Sequence, residues 1–232
     1  MKSLEKIFDI LEYLVLQGGH AILPGEIAER LRISAPTCVR ILQSLVLRGY
    51  VVQLSRQAGY IAGPMICSLA CRRNGYSDLV NASRSHLDSL SELLQMPVNL
   101  AVMHKGQRIM LYFSGKPSIQ WHPWPQFLFS DHDRTATGRL LLSVLPKKEQ
   151  QKLLSSEAYL HKLPSWNQNS SIHYINEDGF HIQGFLLQIP NYPDSAFGYG
   201  VRAEQDADKI FSMGVKIAQE ISKKLIAEYP AY

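Results

Sequence analysis

From Ser34 to Tyr50 apolar and polar positions alternate with a helical period. Cys38, Ile41, Leu42 and Leu45 recur every three or four residues, which places their side chains on one face of a helix. Ser34 stands where a capping hydroxyl accepts a bond from a backbone N–H of the first turn, and Pro36 lies just inside. Gly49 closes the run where a left-handed cap is needed. The opposite face carries Ala35, Pro36, Thr37, Val39, Arg40, Gln43 and Ser44, a small and polar surface with one guanidinium. Such a surface can enter a DNA major groove.

The same periodicity organises the flanks. Leu4, Ile7, Phe8, Ile10, Leu11, Leu14 and Val15 predict a helix over Ser3–Leu16, stopped by Gly18-Gly19. Its apolar positions exceed one narrow stripe, so the surplus either is buried within a small domain or pairs with a second copy of the chain. Pro24 introduces a short helix, Glu26–Leu31, and Arg32-Ile33 turns into the helix after Ser34. Helix, turn, helix is the result. Tyr50–Leu54 and Tyr60–Ala62 then read as two strands around a polar turn, a hairpin wing with Arg56 near its tip.

Downstream, Met65–Arg73 is helix-compatible, Asn74-Gly75 is a break with Gly75 as hinge, and Ser77–Leu94 is a longer helix. Val98–Met103 and Ile109–Phe113 form an antiparallel pair, joined through a turn at Gly106 in which Arg108 is a loop residue. Trp121–Phe127, with three aromatic residues and two prolines, suits a lid over a sheet. Leu140–Leu145 and Lys147–Leu154 are helical, Ser165–Ser171 is a polar loop, Phe185–Ile189 and Ala196–Val201 are strands, and Ala207–Glu228 is a final amphipathic helix. The pattern is α+β.

Charge sharpens the first third. Residues 1–73 hold 9 Lys+Arg against 5 Asp+Glu, whereas residues 74–232 hold 15 of each. Between Arg30 and Ser77 there is no Asp or Glu, while seven arginines, Arg30, Arg32, Arg40, Arg48, Arg56, Arg72 and Arg73, fall in or at the edge of that run. An acid-free basic run on a helix-turn-helix pattern attracts polyphosphate and implies salt-sensitive binding. A solvated basic face is the competing reading. The overall balance, 46% hydrophobic and 19% charged, is that of an ordinary globular chain of two modest domains. No apolar run approaches the ~20 residues that span a bilayer, and Glu5, Asp9 and Glu12 interrupt any signal-peptide core, so a cytoplasmic location is expected. Cys38, Cys67 and Cys71 lack metal-site spacing, and Cys67 and Cys71 are read as small buried apolar residues.

Several of these fragments, in order, resemble the IclR family of bacterial transcriptional regulators. They are Ser3-Leu4-Glu5-Lys6 with Asp9-Ile10-Leu11, Glu26–Leu31, Thr37-x-x-Arg40-Ile41-Leu42, Arg48-Gly49-Tyr50-Val51, Tyr60-x-x-Gly63-Pro64, Val98–Val102 and Arg134–Arg139. The resemblance extends to about Leu154. It implies a winged helix-turn-helix domain over residues 1–63, a linker helix over 64–76, and a GAF-like α/β effector-binding domain over 77–232 with a mainly antiparallel sheet. A homodimer or homotetramer on double-stranded DNA is implied too.

Ser34, Pro36, Thr37 and Arg40 match that family's recognition-helix positions, and Gln43 and Arg56 complete the expected DNA-binding set; Val39 departs from the polar residue usual there. The implied effector site lies at Trp121, Trp124 and Phe127 and at the helix start Thr135, Ala136, Thr137 and Gly138. The helix start would offer N–H groups to an anion and the aromatics a stacking surface, for a sugar, an aromatic compound or a small organic acid. The span from Glu177-Asp178-Gly179-Phe180 to Gly184 is shorter than in typical members, which predicts a more open pocket.

Chemistry of turnover finds little support. Asp131-His132-Asp133, with His161, His173 and His181 downstream, offers metal-ligand types, but consecutive residues point different ways, and they read as solvated loop residues. Gly198-Tyr199-Gly200 lacks the third glycine of a dinucleotide loop, and neither GxSxG nor a P-loop is present. No catalytic residue, metal or cofactor is assigned. Two alternatives stay open: a regulator with a degenerate pocket and no effector, and a small-molecule enzyme carrying a DNA-binding domain.

Overall fold

The computed structural model describes residues 3–115, 127–131, 133–154, 163–190 and 192–228. Contacts divide the chain into two units, with the boundary between Arg73 and Asn74. That boundary falls inside the 64–76 span expected to link the two domains, beside the break read at Asn74-Gly75. The span holds a short helix, a break and the first turn of the next helix.

The first unit contains α1 (Ser3–Leu16), α2 (Pro24–Arg30), α3 (Ala35–Leu47), β1 (Val51–Ser55), β2 (Gly59–Ala62) and α4 (Pro64–Ala70). Ile10, Leu14, Ile27, Cys38, Ile41, Leu42 and Leu45 converge on one core, so the inward faces of α1, α2 and α3 are those the sequence period marks. Gly49, at φ +74°, turns the chain out of α3 into β1. β1 and β2 pair antiparallel as a hairpin, and Ile22 joins it through paired bonds to Tyr60 of 3.0 and 2.9 Å. Helix α4 buries none of its residues, and Cys67 and Cys71 are exposed rather than buried. Apolar residue types marked them for an interior, but burial depends on what packs against a face.

The second unit begins with α5 (Gly75–Leu94). Asn74 caps it with bonds from Tyr76 and Ser77 N–H, and Ser77 Oγ accepts in return from the Asn74 N–H. Gly75 is thus the first helical residue, two positions before the expected start. Strands β3 (Val98–His104) and β4 (Gln107–Ser114) are joined by Lys105 and Gly106, both at positive φ, a two-residue turn that makes Arg108 part of the strand. After β5 (Leu128–Phe129) come α6 (Ala136–Ser143), α7 (Lys147–Leu153), a 3-10 turn at Leu163–Trp166, β6 (Ser171–Ile175), β7 (His181–Leu187), β8 (Ser195–Val201) and α8 (Ala207–Glu228).

The strands form one sheet in the order β5-β4-β3-β8-β7-β6, every described pair antiparallel. Alternate residues serve two cores. Val98, Leu100, Phe185, Leu187, Phe197 and Tyr199 pack with α5 and α8, while Ala101, Leu186 and Ala196 pack with α6. The expected polar loop 165–171 ends in a strand, because Ser171 opens β6. Glu177–Phe180 lies in a tight hairpin turn, with Asn176 Oδ1 accepting from the N–H groups of Asp178 and Phe180 at 3.1 and 2.8 Å. The short span there is strand connection, and β7 starts at His181 rather than Phe185.

Candidate functional site

On α3 the buried stripe fixes what is left outside. Cys38, Ile41, Leu42 and Leu45 are buried; Ser34, Ala35, Pro36, Arg40, Gln43 and Ser44 are exposed, and Thr37 and Val39 are half-buried. Ser34 occupies the N-cap position with extended φ and ψ, but its hydroxyl makes no bond to the helix backbone; it donates instead to Thr37 Oγ1 at 2.8 Å. The first-turn N–H groups therefore remain available at the helix end where an anion is favoured. Arg56 is exposed in the wing turn, which Ser55 Oγ shapes by accepting from Ala58 N–H at 2.8 Å. Neither Arg40 nor Arg56 forms an ion pair among the described residues.

Beside this face α1 and α3 leave a groove of about 530 Å³, lined by Ile7, Phe8, Leu11, Leu45 and Tyr50 with Arg40 and Arg48 at its polar side. Phe8 is 59% exposed and Leu4 69%. The surplus apolar positions of α1 thus stay outside the core of their own unit.

The predicted ligand positions split. Trp121 and Trp124, with His132 and His161, lie outside the described residues, and Phe127 is half-buried just before β5. Thr135 caps α6 by accepting from Gly138 N–H at 3.2 Å, while Ala136, Thr137 and Gly138 are buried. The first turn of α6 sits directly on the sheet. A Cβ added at Gly184 would come within 2.8 Å of Ala136 Cβ, so that glycine is needed for the approach, and one at Gly198 would meet Thr137 Cγ2 tightly at 3.2 Å.

Two residues missed in the sequence dominate this region. Arg108, only 1% exposed, donates from Nε to Asp131 Oδ1 at 3.0 Å and from Nη2 to Oδ2 at 2.7 Å, with its carbon 4.9 Å from the Phe129 ring centre. Its Nη1 faces Thr137 Oγ1 at 3.5 Å; that hydroxyl lies 3.4 Å from Asn99 Oδ1, and Asn99 Nδ2 donates to Gly198 O at 3.1 Å. Asp131 is therefore an ion-pair partner and not a solvated loop residue. A signal was present in the alternation of Arg108 with Met110 once the turn is recognised as two residues long. On the other sheet face His173 and His181 share a 2.9 Å hydrogen bond, and burial followed by the His181 charge lowers the His173 pKa, with Asp208 opposing. No group of three or more metal-ligating side chains occurs among the described residues.

Comparison with known proteins agrees with this architecture. Residues 8–59 match the family model described as the MarR family. No curated protein matches the chain by sequence. Among solved structures, an IclR homolog from Microbacterium hydrocarbonoxydans complexed with 4-hydroxybenzoate superposes with a TM-score of 0.80 at 15% identity, covering 97% of this chain and 100% of that one. An IclR transcriptional regulator from Alicyclobacillus acidocaldarius gives 0.75 at 18% identity with 97% of each chain covered. Pseudomonas aeruginosa HmgR gives 0.70 at 18%, covering 97% and 99%. The chain has the IclR-type fold, a winged helix-turn-helix unit followed by an α/β unit with an antiparallel sheet, as the resemblance implied.

Proposed function

We propose that this chain is a DNA-binding transcriptional regulator whose affinity for its operator responds to a small molecule held in the second unit. The observation that carries the reading is the outer face of α3. Ala35, Pro36, Arg40, Gln43 and Ser44 are all exposed on it, without an acid, on a unit whose wing presents Arg56. In a major groove Arg40 is the group able to make two bonds to a guanine edge, with Ser34, Pro36, Thr37 and Gln43 around it. Arg56 suits a phosphate or the minor groove, which adds affinity without sequence choice.

A palindromic site requires two copies with recognition helices about one turn, ~34 Å, apart. Phe8 and Leu11 on the α1 groove are the side chains we assign to that pairing, because both line the groove and Phe8 is left exposed by its own unit. Residues 1–63 then read DNA, 64–76 connect, and 77–232 sense the effector. The Microbacterium homolog bound to 4-hydroxybenzoate supports a small organic acid or aromatic compound as effector class. The region around Thr135–Gly138, together with Trp121, Trp124 and Phe127, is the site we assign to it. The Alicyclobacillus neighbour is described as a transcriptional regulator, and a regulator returns its ligand unchanged. No helix among the described residues is long and apolar enough to cross a membrane, which suits work on DNA in the cytoplasm.

Selection of random duplexes by the full-length chain tests the reading. A sequence with two-fold symmetry, its half-site centres about one helical turn apart, should emerge, and its affinity should fall steeply with salt. Recovery of no preferred sequence contradicts the proposal.

A further inference from the structure

Among the described residues Arg108 is the one buried side chain that is obliged to carry a charge. A guanidinium does not lose its proton, so a dry position commits it to a permanent anionic partner. It stands on β4 with strands on both sides, paired with Met103 of β3 and Phe129 of β5. The chain supplies the partner from Asp131, whose two oxygens occupy Nε and Nη2 in the fork geometry by which arginine holds any carboxylate.

The two members differ in freedom. Arg108 is fixed by the sheet and is 1% exposed, whereas Asp131 belongs to the irregular segment between β5 and α6 and its side chain is 29% exposed. Asp131 can turn to water; Arg108 cannot. The remaining edge of the guanidinium is underused, since its contact with Thr137 and the Thr137–Asn99 contact are both long, at 3.5 and 3.4 Å. The Phe129 ring lies against the guanidinium and supplies an apolar wall.

We infer that Arg108 is the recognition group for a small organic carboxylate and that Asp131 is the chain's own stand-in for it. The inference rests on reading the second unit as ligand-sensing and names the ligand class and the residue that selects it. A ligand carboxylate takes the two-bond seat, Asp131 is released to solvent, and the bonds lost equal the bonds gained. Net affinity then comes from whatever the rest of the ligand touches, which excludes tight binding by a bare anion.

The exchange also has a route to α6. Asp131 O accepts from Arg134 N–H at 2.9 Å, Arg134 O accepts from Tyr174 on β6 at 3.1 Å, and Asp133 O accepts from Arg139 Nε on α6 at 2.8 Å. The segment carrying Asp131 is therefore the lead-in to α6, so replacing its carboxylate at Arg108 moves the start of that helix.

The test uses the full-length chain and its thermal midpoint in sodium benzoate, 4-hydroxybenzoate or acetate, against sodium chloride of equal ionic strength and against neutral benzamide. Asp131→Ala should lower the midpoint. The carboxylates should restore it in proportion to concentration, and chloride and benzamide should not. Wild type should respond to the aromatic carboxylates only at concentrations at least ten-fold higher, because the ligand competes with Asp131. Asp131→Asn, which keeps the volume and loses the charge, carries the same comparison if the alanine variant does not fold. Carboxylates that fail to restore either variant, equal concentrations for variant and wild type, no wild-type response, or a response that survives Arg108→Lys in the Asp131→Ala background would each overturn the inference. DNA is absent from every arm. Loss of the carboxylate response with duplex binding intact therefore sinks this inference alone, and the reverse sinks the regulatory reading alone.

Discussion

The two units place their polar chemistry on opposite sides of the surface. Among the described residues every buried polar or charged side chain, Arg108, Thr137, Gln183 and Ser195 among them, lies from Asp78 onward, while the core of residues 3–73 is built of apolar side chains and Cys38. A unit that grips a duplex needs its donors outside and can close-pack its interior. A unit that holds a small molecule needs donors inside, where each must find a partner or destabilise the fold. The winged unit has an apolar interior and the sheet unit a partly polar one, which is the division the proposed roles require.

The contrast breaks if the interiors are not equally well packed where they are apolar. Phe185 stacks with Phe197 at 5.1 Å and tilts against Phe211 at 5.1 Å, and Leu42 is fully buried under α3. Phe185→Ala should cost about 3–5 kcal/mol and Leu42→Ala about 2–5 kcal/mol in urea unfolding followed by circular dichroism. A loss under about 1 kcal/mol at either site would mean that the unit concerned is loosely packed.

The polar interior gives a smaller and opposite effect. Ser195 Oγ is fully buried with no hydrogen-bond partner among the described residues. Removing an unpaired hydroxyl removes its desolvation cost, so Ser195→Ala should leave stability unchanged or raise it by about 1 kcal/mol. A clear destabilisation in the same urea experiment would show that the hydroxyl is engaged.

The smallest effect is a pH slope. The folded state lowers the His173 pKa, first through burial and then through His181. A base held below its ordinary value contributes stability that is complete above about pH 6.5 and is lost as the pH falls through the lower folded-state value. The midpoint of thermal unfolding should therefore drop between pH 7.5 and 5, and drop less in His173→Gln. Parallel slopes would remove His173 from the account.

How much of this was legible depended on whether burial follows from local pattern. α1 and α3 appear where the three- and four-residue apolar spacing places them, because one side of each is the core, and the wing follows from two β-rich runs around a polar turn. β6 was hidden: Ser171 and His173 make it look like loop, and only pairing with β7 turns it into a strand. The exposure of Cys67 and Cys71 was equally invisible, since no periodicity reports that a short helix has nothing to pack against in its own unit. The residues of the outer α3 face could be read one by one from the helical period. The Arg108–Asp131 pair could not, because it joins positions 23 residues apart through sheet register, and a loop reading of Arg108 conceals that the side chain points inward.

The claim that the outer face of α3 reads sequence is tested most directly by titrating labelled duplexes with the full-length chain and following fluorescence anisotropy. The duplexes are the selected operator and a scrambled version, and the proteins are wild type, Arg40→Ala and Arg56→Ala. The account predicts that Arg40→Ala loses about 1–3 kcal/mol on the operator and little on the scrambled duplex. Arg56→Ala should weaken both alike and reduce the salt slope by about one. Equal loss on both duplexes for Arg40→Ala, or no loss on either, would contradict it.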